Sequence, residues 1–388
     1  MKAGWQTKKL GDVCAFDKAQ GIHHHLPYVG LENIESQTAR FIGSTEPQSM
    51  KSSTFRFSNQ HVLYGRLRPY LNKVLVPDFE GHCSTEIFPI KPSIKLSREY
   101  LLYWFLSDET VDRINATCTG ARMPRADMNE VLGFDFPLPP LSEQQRIVGI
   151  LDEAFENIAT AKATADRNIQ NAHALSESYL QSVFSPRGKG WISTALGSVC
   201  GFVRGPFGGS LKKSIFVAHG YAVYEQQHAI YNQFDNVRYF IDKAKFMEMK
   251  RFELLPNDLI MSCSGTMGRV AIVPEGIKKG IINQALLKLT PTTKILNTYL
   301  KSWMESAAFQ DALKEYSGGA AIQNVASVQI LKEIKVPLPS VEEQQGIVDE
   351  LDALSAETEH LESVYQQKFA ALEALKKSLL HQALAGKL

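Results

Sequence analysis

The residues of this 388-residue chain best suited to chemistry are cations, amides and small polar groups gathered in glycine-containing stretches. Tyr64-Gly65-Arg66-Leu67-Arg68-Pro69-Tyr70-Leu71-Asn72-Lys73 follows an apolar run. An arginine can hold guanine bidentately and an asparagine can hold adenine, so Arg66, Arg68 and Asn72 are candidates for base edges, with Tyr70 beside them. Lys73 offers charge to phosphate, and Lys51 lies upstream as a further DNA-binding candidate. Arg122 and Arg125 lie in a short loop just before a run of prolines. His24 sits in His23-His24-His25. Adjacent side chains on extended backbone point apart, so three histidines in a row rarely chelate one ion and read as a polar loop near a ligand. In the second half, Gly205-Pro206-Phe207-Gly208-Gly209-Ser210-Leu211-Lys212-Lys213 offers glycines for close backbone approach, with Phe207 among them, and Lys212 and Lys213 for phosphate. Ser264, Thr266 and Arg269 follow, and Gln323 and Asn324 occupy the place of Met123 and Pro124. Any one of these could be part of an ordinary solvated face. Together they weigh more, because the same loops are polar in both halves yet differ in residue type. Two modules reading two different nucleic-acid sequences would look like that.

No catalytic constellation accompanies them. The sequence has no GxxxxGK[ST] phosphate loop, no GxGxxG after a strand, no HExxH and no Asn-Pro-Pro-aromatic tetrapeptide. Neither a catalytic residue nor a metal ligand is assigned. Cys14, Cys83, Cys118, Cys200 and Cys263 are scattered with no CxxC pair, which argues against a zinc site and for reduced thiols in the cytoplasm. Cys14 and Cys200, at equivalent repeat positions, read as small buried apolar residues. No run of about 18 apolar residues suggests a membrane span, and no secretory signal is visible at the N-terminus.

Charge divides the chain. Residues 1–141 hold 16 Lys/Arg against 15 Asp/Glu, and residues 185–340 hold 19 against 11. Residues 142–184 hold 3 against 6, and residues 341–385 hold 3 against 9. The basic excess lies in the globular stretches and the acidic excess in the helical ones. That asymmetry suits a polyanion on the former and a different partner on the latter.

The elements that must position these loops come in duplicate. Pro137 to Asp152 reads PLPPLSEQQRIVGILD, and Pro337 to Asp352 reads PLPSVEEQQGIVDELD, 200 residues apart with ten of sixteen positions identical. Trp5 and Trp191 open matching entry segments, WQTKKLGDVC and WISTALGSVC. The chain is therefore two domain-plus-helix units. The first domain is expected to hold strands at Tyr28–Ile34, Phe55–Leu63, Lys73–Val76 and Ile87–Ile90, with a helix over Ser97–Ala116. The second is expected to hold strands at Ala222–Glu225, Val237–Phe240, Asp258–Ser262, Val270–Val273 and Gln284–Leu289, with a helix over Leu296–Tyr316. Each is mixed α/β, and the whole is an α+β protein with a pseudo-two-fold internal repeat.

Ser142-x-x-Gln145 and Ser340-x-x-Glu343 fit helix-opening capping boxes after prolines that cannot continue a helix backwards. Apolar residues then recur in a 4-3 spacing. One seam runs Ile147, Leu151, Ala154, Ile158, Ala161, Ala165, Leu175; the other runs Ile347, Leu351, Leu354, Leu361, Tyr365, Leu372, Leu375, Leu379. That period predicts an antiparallel coiled coil within the chain, an alanine-lined helix against a leucine-lined one, each about 64 Å long. The boundaries read as a globular domain over 1–137, a long helix over 138–186, a second globular domain over 187–337 and a second long helix over 338–388.

With those motifs in place, the chain resembles the specificity subunits of type I restriction–modification systems. The two PLP…EQQ…IV…LD openings carry the likeness, with LYGRLRPYLNKV and CSTEIFPI in the first domain and RGPFGGSLKK, IMSCSGTMGRVAIV and INQALLKL in the second. The resemblance implies that each domain reads one half of a bipartite site in double-stranded DNA. It implies that the helices fix the spacing and dock two modification subunits, and that restriction (motor-nuclease) subunits join. S-adenosylmethionine, ATP and magnesium would sit on those partners and none on this chain. The rival reading is a scaffold or anti-restriction protein that keeps the docking helices without reading DNA; acidic or truncated domains would mark it.

Overall fold

The computed structural model describes residues 4–120, 122–184, 191–315 and 327–388. Its two compact units do not follow chain order. One joins Met1–Asp166 to Val364–Leu388, and the other is Arg167–Ser363. Each unit holds one globular domain and a stretch of both long helices, Leu141–Val183 and Val341–Leu384.

In the first unit an antiparallel sheet runs in the order Cys14–Phe16, Ile87–Pro92, Val62–Gly65, Val74–Leu75. Its inward residues, among them Val62, Tyr64 and Ile90, share a core with the helix Arg98–Leu106 and with Ile147 and Leu151 of the long helix. A second sheet runs Gln20–Gly21, Thr54–Phe57, Gly81–Cys83, Tyr28–Val29, the last pair parallel. The single helix expected over Ser97–Ala116 is two, Arg98–Leu106 and Asp108–Ala116. Ser107 divides them: its backbone is extended, and its hydroxyl accepts from the Thr110 N–H while donating to the Trp104 carbonyl. A serine that can hydrogen-bond nearby backbone this way competes with helix continuation.

The second unit repeats the first sheet in the same order with Cys200–Arg204, Leu286–Pro291, Leu259–Ser262 and Val270–Ile272. Ser306 likewise splits the helix expected over Leu296–Tyr316 into Asn297–Glu305 and Ala307–Glu315. The other sheet differs. Tyr221–Tyr224 and Gly280–Ile282 pair in parallel, as Tyr28–Val29 and Gly81–Cys83 do, but the extra strand Tyr239–Ile241 adds beside Tyr221–Tyr224. In the first unit the extra strand, Gln20–Gly21, adds at the opposite edge, beside Thr54–Phe57. The proline lead-ins are themselves strands: Asp135–Leu138 pairs with Gln6–Lys9, and Lys335–Leu338 with Ile192–Ala195.

A glutamine shared by the two copies of the sixteen-residue repeat clamps each domain to its long helix. Gln144 and Gln344 are fully buried. The Gln144 carbonyl accepts from the Ser97 N–H at 2.8 Å, while its amide donates to the Lys95 and Pro139 carbonyls. Gln344 does the same with the Leu296 N–H and the Lys294 and Pro339 carbonyls. Each glutamine thereby satisfies the otherwise orphaned backbone at the start of a domain helix.

The long helices run antiparallel against each other in both units. In the first, Lys162 pairs with Glu373, the Lys376 ammonium lies 4.9 Å from the Phe155 ring centroid, and Leu151 shares a core with Leu380 and Ala383. In the second, His173 meets Glu362, Tyr179 meets Glu350, and the Ser176 hydroxyl bonds Thr358 at 3.0 Å. The Ser340–Glu343 capping box forms, with reciprocal bonds of 3.0 and 3.2 Å. The box expected at Ser142–Gln145 does not. The helix already begins at Leu141, and Pro140, two residues earlier, stands where Ser340 does.

Two expected seam residues are also corrected. Leu175 is 62% exposed and Leu375 47% exposed. The less exposed stripe runs from Ile147 to Val183 and from Ile347 to Ala383, thirty-six residues in ten steps on each helix, a mean of 3.6 and not 3.5. A strict heptad drifts about 20° per repeat on such a helix, so a residue four heptads from Ile147 or Ile347 has turned away by about 80°. Ser176 and Lys376, the next residues along, take the less exposed positions. The remaining seam residues, Leu151, Ala154, Ile158, Ala161, Ala165, Leu351, Leu354, Leu361, Tyr365, Leu372 and Leu379, are buried or half-buried as expected.

Candidate nucleic-acid interface

In the first domain, the loop that leaves Val62–Gly65 is zipped to the loop around Arg125. The Arg68 N–H donates to the Pro124 carbonyl at 2.8 Å, and the Ala126 N–H to the Arg66 carbonyl at 2.9 Å. Glu86 locks the side chains. Its carboxylate accepts from Arg66 Nε at 3.0 Å, and from Arg125 Nε and Nη2 at 3.0 and 2.8 Å. The Arg66 guanidinium also lies 5.4 Å from the Phe88 ring centroid. Partial burial pushes the Glu86 carboxyl up, but the hydrogen bonds from Arg125 and Arg66 outweigh it and hold it below its ordinary value. Arg66 and Arg125 are therefore tied into the frame. Arg68, at φ +52° and exposed, projects from it beside exposed Tyr70 and Arg122.

Two candidates turn inward. Asn72 is 2% exposed, at φ +42°, and its amide donates to the Phe105 carbonyl at 3.0 Å. Asparagine tolerates that left-handed backbone, and its side chain is buried inside the protein and not presented to adenine. The Lys73 ammonium donates to the Leu31 and Ile34 carbonyls, both at 2.7 Å, so it braces a turn and does not reach out to phosphate. His24 is exposed and bonded to Ser49 at 2.9 Å, and Lys51 is exposed. Among the described residues no His/Cys/Asp/Glu group could hold a metal ion.

The second domain builds the same loop from different parts. The Cys263 N–H donates to the Ala285 carbonyl at 2.9 Å, as the Arg66 N–H does to the Glu86 carbonyl. Where the first domain has the Arg66–Glu86 pair, the second has Cys263 and Ala285. Closure comes from Ser262, whose hydroxyl donates to the Thr266 carbonyl at 2.6 Å and accepts from the Arg269 N–H at 3.0 Å. Ser264 is half-buried; Thr266 and Arg269 are exposed. The glycine-rich loop reaches the same place. Gly205 packs so closely on Asn283 that a Cβ would lie 1.8 Å from its carbonyl oxygen. The segment Asn283–Ala285 thus joins the two candidate loops, with Phe207, Lys212 and Lys213 exposed on one of them. Gln323 and Asn324 lie outside the described residues. Lys51, Arg68, Arg122, Lys212, Lys213 and Arg269 make no ion pair among the described residues.

Sequence reasoning passed over Glu86, although CSTEIFPI was in view, and over Gln144 and Gln344, although both recur at the 200-residue spacing. It also missed a basic rim in the second unit, where Lys250 and Lys279 flank the Phe246 ring and Lys278 lies by Phe240. Cys14 and Cys200 are buried as expected, as are Cys83 and Cys263, while Cys118 is half-buried, and burial pushes the Cys14, Cys200 and Cys263 thiols up to about 12.

The family model of the type I restriction modification DNA specificity domain matches residues 2–167 and again residues 189–367. The chain belongs to this family. It carries the domain twice, in agreement with the repeated sheet and the repeated glutamine clamp. It is similar to the EcoDI specificity subunit of Escherichia coli, 26% identical over 178 residues, 45% of this chain and 40% of that protein. To the EcoBI specificity subunit of the same organism it is 24% identical over 299 residues, 71% of this chain and 63% of that protein. The matched part thus spans less than two thirds of either Escherichia coli relative. The MjaVIII specificity subunit of Methanocaldococcus jannaschii is 21% identical over 432 residues, 99% of this chain and 93% of that protein. In fold, the family member is similar to the HsdS subunit from Thermoanaerobacter tengcongensis, with a TM-score of 0.71 at 21% identity over 100% of this chain and 98% of that one. A chain from a structural study of complex assembly in a type I restriction–modification system gives 0.77 at 22% identity, over 100% and 99%. Among the described residues no helix is long and apolar enough to cross a membrane.

Proposed function

We propose that this chain is the DNA-reading subunit of a type I restriction–modification complex, each globular domain reading one half of a bipartite site. The observation that carries this is the pair of loops on a common framework. The strand order of the sheet that carries these loops and the backbone bond into the facing segment are the same in both domains. The side chains presented, Arg68, Tyr70 and Arg122 in one and Ser264, Thr266 and Arg269 in the other, are not. A scaffold without a reading role would have no need to vary exposed loops while preserving their support.

In this reading Arg68 and Arg269 address base edges, where a bidentate contact to guanine is worth about 1–3 kcal/mol of discrimination. Lys51, Lys212 and Lys213 hold phosphate register. Arg66 and Arg125 are positioning residues that aim the loop through Glu86. The antiparallel helices set the separation between half-sites, which for major grooves on one face of the duplex is about 34–36 Å. Their acidic surfaces dock two modification subunits, and restriction subunits join the assembly. The chain performs no catalysis of its own; S-adenosylmethionine, ATP and magnesium are held by its partners.

The test is a genome-wide map of methylated adenines in cells carrying this chain with its modification subunit. A bipartite motif with a constant gap is expected. A continuous motif, or none, would overturn the reading.

A further inference from the structure

We propose that Phe207 is a wedge that the second domain inserts beside a base step of its half-site, partly unstacking it. This rests on reading that domain as a DNA reader.

Phe207 is 93% exposed, on a loop that is otherwise pinned. On its N-terminal side Pro206 is buried, and Gly205 is pressed against the Asn283 carbonyl with no room for a side chain. On its C-terminal side the Ser210 N–H donates to the Phe207 carbonyl at 2.8 Å. Further along, Leu211, Ile215 and Phe216 pack on the core formed by Val223, Ile241, Phe246, Met249 and Ile281. A phenyl ring held outward on a fixed base forgoes burial in the free protein, so it has little to lose on entering a stack. Lys212 and Lys213 follow on the same loop, exposed and without ion-pair partners among the described residues. Apolar side chains flanked by cations are how proteins pry open base steps, most cheaply at flexible pyrimidine–purine steps. Counted from Cys14 and Cys200, the equivalent position in the first domain is Gly21. The wedge would therefore belong to one reader alone and add recognition by deformability to that half-site.

The test uses the full chain assembled with its modification subunits, and duplexes carrying the mapped motif with 2-aminopurine placed in turn at each step of the second domain's half-site. Fluorescence should rise on binding at one step. In the Phe207→Ala complex that rise should vanish and affinity should fall about tenfold to a hundredfold, whereas Phe207→Leu should keep most of both. The melting temperature should be unchanged, because the ring is exposed. Equal fluorescence and affinity for wild type and Phe207→Ala would overturn the wedge while leaving the DNA-reading function intact. Loss of modification subunits from the Phe207→Ala complex before any DNA is added would also overturn it, making Phe207 a protein contact. A wild-type complex that binds no duplex would sink both proposals.

Discussion

The first domain steadies its candidate reading loop with charge, and the second does so with a hydroxyl and glycines. In one, Glu86 gathers Arg66 and Arg125, while Arg68, Tyr70 and Arg122 are exposed. In the other, Cys263 and Ala285 fill the same backbone positions, and Ser262 closes a loop whose Gly265 and Gly268 take φ of +65° and +74°. Partners have been exchanged as a pair while the backbone bond between them is kept at 2.9 Å in both. The lesson is that an arginine in a reading loop is not by that fact a reader. Arg66 and Arg125 are paired with Glu86, and Arg68 makes no ion pair among the described residues.

The largest effect that would break this contrast is an exchange of whole domains. Replacing residues 1–136 with the corresponding part of another family member should change one half of the methylation motif and leave the other half and the gap intact. Change in both halves would mean the domains are not independent readers. A smaller effect is expected from Glu86→Gln. It should free both guanidiniums, weaken methylation of one half-site several-fold, and lower the melting temperature by a few degrees at neutral pH. Because the folded carboxyl lies below its ordinary value of 4.5, its contribution is present at neutral pH and is lost as pH falls through that depressed range. The stability difference between wild type and Glu86→Gln should therefore close in acid, as followed by thermal melts. A difference that persisted at low pH would deny the triad its electrostatic role.

Lys212→Ala combined with Lys213→Ala sharpens the contrast from the other side. Binding should weaken for all sequences alike, with both motif halves unchanged, and the salt-dependence slope should fall in magnitude by about 2. A sequence-selective loss would place a lysine on a base. Least of all should happen at the outward leucines. Leu175→Ala and Leu375→Ala should alter stability by no more than about 0.5 kcal/mol in denaturant melts, against about 2–5 kcal/mol for buried Leu151→Ala.

The helices were legible because proline punctuation, a 200-residue repeat and apolar periodicity all agree over more than forty residues. The seam was legible only near its starts, since a 3.5-residue template and a 3.6-residue helix part company after a few turns. The strand framework was legible in outline. Its two-stranded entries were not, because Pro137 and Pro337 read as lead-ins when each sits in a short paired strand. In the candidate interface, exposed Arg68 and buried Asn72 lie four residues apart in one polar stretch, and nothing in residue type separates them. Both residues have left-handed backbone, so the discriminating fact is the Phe105 carbonyl that the Asn72 amide reaches, 33 residues away in sequence. Glu86 was hidden for the same reason, 20 residues from one arginine and 39 from the other.

The most direct measurement is the methylation map of cells carrying Arg68→Ala, set beside that of the wild type. Relaxation or loss at one half-site, with the second half-site and the gap unchanged, is the predicted result. Equal loss at both half-sites, with the protein folded and assembled, would contradict two separate readers on one frame.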